Sequence, residues 1–221
     1  MLINLYIHDP KTKNSLEIFL KRERFILIVI KMKKIFYFII ISFFSFTTVS
    51  ADSFNQLILE GMKIGENFTK HVDEPTIKAT NMENFKNNKY SVSGFDTQGI
   101  SENFDQLTIS YKTSDKDYKI LEIAGQKVTS NMNECESIRD SLLNVYGTSL
   151  QNIKKVGPKT DNHPADSSGK SKLSDLMYIF KSGVLHASCV DWSEEIGYED
   201  HLFFSISEKK FMQWKQKNIK Y

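Results

Sequence analysis

VLHASCVDWSEEIGYEDHLFFSIS, Val184 to Ser207, is the stretch on which the fold of this chain turns. Val184–Trp192 and Tyr198–Ile206 both alternate with a period of two. They are therefore expected to be antiparallel partners, with SEEIG as their connection. Leu185, Ala187, Cys189 and Asp191 would share one face of the first strand. On the second, Leu202, Phe204 and Ile206 form the apolar set, and His201, Phe203 and Ser205 point the other way.

The same stretch holds five carboxylates, a histidine, a cysteine and a tryptophan between Ser188 and His201. Asp191, Glu194, Glu195, Glu199 and Asp200 offer hard oxygen ligands of the kind Ca²⁺ takes, and His201 beside a carboxylate could move protons. Their spacing matches neither the calcium-loop pattern of alternating acids around a glycine nor HExxH. Turns are polar because their backbone faces water, so the dense charge is expected to be chiefly the rim of the hairpin. Asp191, Glu194, Glu195, Asp200 and His201 form the candidate site, a bound metal stays open, and no catalytic residue or cofactor is assigned.

Outward from the hairpin, KLSDLMYIFK (172–181) is a third expected strand. The long polar segment Thr148–Lys172 before it is expected to be an irregular loop. Within it, SSGKS (167–171) lacks the glycine of a phosphate loop, since that position is Pro164, and no apolar strand precedes it. His163 and Asp166, in HPAD, are two groups where a metal site needs more. NECESIRDSLLNVYG is expected to be a helix from Asn133 to Tyr146, with Cys135, Ile138, Leu142 and Val145 as its core stripe and Gly147 as its stop. Lys89–Asp96, Phe104–Thr113 and Tyr118–Ser130 are expected strands. In the last, Ile120, Glu122 and Ala124 are expected on one face, with Leu121 and Ile123 on the other. Gln56–Gly65 opens with strand-like alternation, and a short helical stretch follows through His71. Asp73 is the expected N-cap of a helix with Pro75 in its first turn. The closing stretch Ser207–Lys217, with Phe211 and Trp214 three apart among lysines, is expected to dock on the sheet as ordinary core rather than lie on a membrane.

The N-terminal part reads as a targeting segment. The apolar run Ile35–Phe46 is short for a bilayer span, follows Lys31, Lys33 and Lys34, and precedes Val49 and Ala51 at the positions a signal peptidase reads. Residues 32–51 are thus an expected signal peptide, 1–31 an upstream extension from a misassigned start, and 52–221 one exported domain with no stable membrane span after cleavage. The first 51 residues hold 8 of the 29 basic and 3 of the 27 acidic groups, so the remainder carries a net charge of −3. No clustered basic stretch of nucleic-acid type survives cleavage, so no nucleic-acid partner is expected. An even pair of cysteines in an exported chain points to a Cys135–Cys189 disulfide.

The element order predicts an α+β fold, an antiparallel sheet with helices on one face, open to division into tandem β-α-β-β-β-like halves at 52–117 and 118–221. The step EGMKIGEN (60–67) resembles the Gly-Met turn of small exported bacterial α+β proteins of the β-lactamase-inhibitor and outer-membrane-assembly-lipoprotein type. The overall layout is also similar to uncharacterised exported bacterial proteins with a DWSEE-like C-terminal hairpin. The resemblance implies a protein-binding or assembly role, with another envelope protein as partner, although the lipidated cysteine of the lipoproteins is missing here. A periplasmic or secreted binding or accessory protein is accordingly the expected function. The alternative is a metal-binding protein or hydrolase using the acids around Trp192 with His201.

Overall fold

The computed structural model describes residues 53–85, 88–97, 101–150 and 153–218; the expected signal peptide and upstream extension lie outside them. Eight strands form one antiparallel sheet: β1 (Asn81–Asn84), β2 (Tyr90–Asp96), β3 (Gln106–Lys112), β4 (Glu122–Val128), β5 (Lys154–Asn162), β6 (Lys172–Ile179), β7 (Gly183–Asp191) and β8 (His201–Glu208). Their order is β1-β2-β3-β4-β8-β7-β6-β5. The last strand therefore enters the middle, and its pairing with β4 joins the two runs of strands. Among the described residues three α-helices accompany them: α1 (Glu74–Ala79), α2 (Met132–Val145) and α3 (Lys209–Asn218). This is the α+β class expected.

The hairpin of Val184–Ser207 is β7–β8, in the register that sets Cys189 opposite Leu202 and Val190 opposite His201. Leu185, Ala187, Cys189, Leu202, Phe204 and Ile206 are all fully buried on one face, hereafter the first face. Cys135 near the start of α2 reaches Cys189 there, with S–S 2.10 Å and both residues buried. Helix α1 lies on the same face, where the Ser93 hydroxyl donates to the Ile77 carbonyl (2.9 Å). Asp73 caps it by accepting from the Thr76 amide at 2.8 Å. Gly125 has no substitute in this layer, because any Cβ there would overlap the buried ring of Phe104.

Helix α3 docks on the second face instead, which leaves α1 and α2 as the helices on one side. Phe211 is buried against Tyr90 and Leu121, with Trp214 and Phe85 packed around them. Docking of this stretch as core is as expected. Beneath it Glu122, 4 % exposed, accepts from Lys215 Nζ through both oxygens at 2.9 Å and from the hydroxyls of Ser110 (3.3 Å) and Ser207. A buried carboxylate is tolerable because a cation and two donors surround it.

Four expectations are corrected. Gln56–Gly65 is not a strand; it begins in a 3-10 turn, Ser53–Gln56, and contains only an isolated bridge, Leu59 to Met62, between buried side chains. The stripe of α2 holds as expected at Cys135, with Ile138 and Leu142 packed half-buried on the core, but its buried positions also include Arg139 and Leu143, and Val145 is 79 % exposed. Arg139 is tolerated inside because its guanidinium meets Ser174, Glu136 and Asp140 at 3.1–3.5 Å. In β4 the alternation holds only from Glu122: Ile120 joins Ile123 in the main core, and Leu121 goes to the small cluster under α3. Finally, Lys154–Asn162 is strand β5 rather than loop, nearly all exposed, and forms the sheet edge against β6. Lysines, Pro158 and a register shift between Val156 and Lys159 are the devices that keep such an edge from pairing with another chain.

Candidate functional site

The connections β5–β6 (163–171) and β7–β8 (192–200) meet at one end of the sheet. Asp166 ties them. Its carboxylate accepts from the Ser168 amide (2.8 Å), the Ser171 amide (2.8 Å), the Ser171 hydroxyl (2.6 Å) and the Ser193 hydroxyl (3.4 Å). Those bonds, led by the one from Ser171, hold its carboxyl well below the usual range. The Ser171 hydroxyl in turn accepts from the Ser193 amide at 3.0 Å. Lys170 pairs with Glu195 across the same junction. The sequence that looked like a defective phosphate loop is a serine-rich clamp around an aspartate.

The clamp presents an aromatic group. Trp192 stands between His163, with ring centroids 4.1 Å apart, and Tyr198, at 5.2 Å edge-on. Asp200 holds the tryptophan backbone by accepting from its amide at 2.7 Å. All three rings are half-buried. Burial, with His201 nearby, pushes the His163 imidazole down to about 4, so it is neutral at physiological pH. Its Nδ1 accepts from the Ala165 amide (3.2 Å), which places the proton of the neutral ring on Nε2. Burial also lowers the pKa of His201, against the opposing pull of the Glu199 carbonyl and the charges of Asp200 and Glu199. Its Nδ1 lies 3.0 Å from the Glu199 carbonyl, an acceptor only, so Nδ1 carries the proton.

A second pair lies further along the second face. Asp175 accepts from His186 Nε2 at 3.0 Å. Burial alone would raise its pKa, but the bonds from His186 and Ser188 hold it below the usual carboxylate value. Phe203 closes against His186 at 5.8 Å.

The expected site residues are divided by the pleat. His201 pairs with Val190 and so belongs to the second face; Asp191, the next residue, belongs to the first. Asp191 is raised by burial and by the neighbouring charge of Asp200. Glu194 is exposed, Glu195 pairs with Lys170, and Asp200 caps Trp192. Among the described residues no group of three or more His, Cys, Asp or Glu could hold a metal ion. What joins His201 at this end is His163, Trp192 and Tyr198. The partners missed from sequence were Asp175 and His186; their signal was a charged and a polar residue interrupting otherwise apolar strands.

Fold and site together define an α+β protein with one antiparallel sheet, a disulfide-tied helix on one face and a clamped aromatic–histidine end. Compared with known protein families, curated proteins and solved structures, the chain matches none. Among the described residues no helix is long and apolar enough to cross a membrane.

Proposed function

We propose that the protein is an exported, non-enzymatic binding or accessory protein of the bacterial cell envelope, and that it engages a protein partner through Trp192, His163 and Tyr198. The observation that carries this reading is the clamp. Asp166, Asp200 and the Lys170–Glu195 pair are engaged in hydrogen bonds and ion pairs that hold two loops, and what those loops present is a half-exposed group of rings. Aromatic side chains held rigid in this way are what interface hot spots are made of, because little conformational freedom remains to be lost on binding. The disulfide fits an oxidising compartment. Neutral His163 adds a hydrogen-bonding group without the desolvation cost of a charge.

Photo-crosslinking in the intact cell tests it. A photoreactive residue at Glu194 should give one reproducible adduct with an envelope protein, and the same residue at the exposed Val145 should not. Equal adducts from both positions, or none from Glu194, would remove the reading.

A further inference from the structure

The end of the sheet opposite the Trp192 clamp collects lysines from three segments. Lys154 and Lys155 begin β5, where Lys154 pairs with Ile179 and Lys155 with Tyr178. Lys181 stands in the β6–β7 turn, which is closed by the Phe180 amide donating to the Gly183 carbonyl at 2.9 Å. Lys209 and Lys210 open α3, whose first amide donates to the Ser182 carbonyl in that turn at 2.8 Å. Lys155, Lys181 and Lys210 are exposed. Glu208, half-buried opposite Gly183, is the acid these segments bring with them, and the neighbouring β3–β4 connection, whose Leu121 carbonyl accepts from the Glu208 amide, adds Asp115 and Asp117 beside Lys116 and Lys119. The acids of 191–200 lie at the far end of β7, nine residues or about 26 Å away. The hairpin is therefore an electric dipole with its cations at one tip.

The chain enters the fold at this same tip. The Ser53 hydroxyl donates to the Ser149 carbonyl (2.8 Å), and Phe54 packs on Phe180, ring centroids 5.5 Å apart, over Gly183. We propose that the lysine tip is a docking surface for anionic phospholipid headgroups. The protein rests there with Lys155, Lys181 and Lys210 on the bilayer, and repulsion of the acidic end turns the Trp192 clamp away from it. Fields of this kind orient a protein within about a Debye length of a charged membrane. This goes beyond the binding reading above and uses the opposite end of the molecule, so either can fail alone.

The test uses the protein recovered from the envelope fraction, its N-terminus determined by mass spectrometry. Sedimentation is compared between vesicles holding about 30 % phosphatidylglycerol and purely zwitterionic ones, at low and high salt. The anionic preference should be strong at low salt and collapse at high salt. Each lysine at an anionic surface is worth about a fivefold change in partitioning, so Lys155→Glu/Lys181→Glu/Lys210→Glu should lower the preference by at least about 100-fold. Lys127→Glu/Lys159→Glu/Lys172→Glu, toward the other end of the sheet and with the same net charge, should keep most of it. Equal binding to both vesicles, or an equal loss in the control variant, would overturn the proposal. So would binding to poly-glutamate that depends on the three lysines while vesicle binding does not, which would assign the tip to an acidic protein.

Discussion

Replacing Lys215 by methionine tests the seating of α3. Glu122 and Lys215 are 5 % and 16 % exposed at their side chains and meet at 2.9 Å. With the lysine gone, the carboxylate would stay buried with only the hydroxyls of Ser110 and Ser207 as donors. Removing one partner of a buried pair costs about 3–5 kcal/mol; the two remaining donors and the partial solvent access of Lys215 point to the lower end, about 3 kcal/mol. In a domain of this size that is a fall of about 6–12 °C in Tm. Glu122→Gln should cost less, about 1–2 kcal/mol, because the amide still accepts from the serines and the lysine can turn toward water. The double variant Glu122→Gln/Lys215→Met should be more stable than the sum of the single losses allows, with a coupling of about 1 kcal/mol or more. Urea denaturation followed by far-UV circular dichroism, with unchanged m-values, measures all three. A Lys215→Met variant within about 1 kcal/mol of the parent, or strictly additive losses, would refute the reasoning, since Lys215 would then behave as a surface residue.

Two further perturbations have defined outcomes. Cys135→Ala/Cys189→Ala opens a loop of 55 residues, counting both ends of the sequence separation of 54, and should lower stability by about 4 kcal/mol in the chain-entropy model; free-thiol labelling of the unfolded, unreduced parent should find no thiol, and two labelled cysteines would contradict the bridge. His163 has its pKa lowered from 6.5 to about 4. Between those values the unfolded chain binds the extra proton, so stability falls as pH drops from about 6.5 to about 4. Discounted for the partial exposure of the ring, the parent should lose about 1 kcal/mol more than His163→Gln between pH 7.5 and pH 5, read from urea midpoints. Equal losses would show that His163 stays open to water.

Much of this fold was legible in the sequence because period-two alternation with one buried face leaves little freedom of register. β2, β3, β6, β7 and β8 fall where the alternation put them. β5 was missed because an edge strand exposed on both sides has no apolar phase to read; its lysines and proline look like loop. The stripe of α2 was misassigned at its end because Arg139 lies inside and Val145 outside, a choice made by the partners Ser174 and Glu136. Gln56–Gly65 showed apolar spacing, yet its side chains fill the core from turns rather than from a ladder.

The site was half legible, for a geometric reason. Adjacent residues of a strand point to opposite faces, so Asp191 and His201, near neighbours across the hairpin, are separated by the sheet itself. Sequence proximity marked the right end of the molecule but the wrong companions. Of the companions of His201, Trp192 and Tyr198 stand in the same hairpin, but His163 comes from the β5–β6 connection, nearly forty residues upstream, and only the pairing of β5 with β6 brings it there. Asp166 lacks the partners a metal ligand needs and instead accepts from backbone amides and serine hydroxyls.

The claim that the Trp192 end binds a partner is tested most directly by affinity. Once the adduct formed at Glu194 identifies a partner, its dissociation constant should be measured for the parent, Trp192→Ala and Tyr198→Ala, each first shown to melt within a few degrees of the parent. A central aromatic at an interface is worth about 2 kcal/mol or more, so Trp192→Ala should bind at least about 30-fold more weakly, with a smaller loss for Tyr198→Ala. Affinities unchanged in both folded variants would contradict the account.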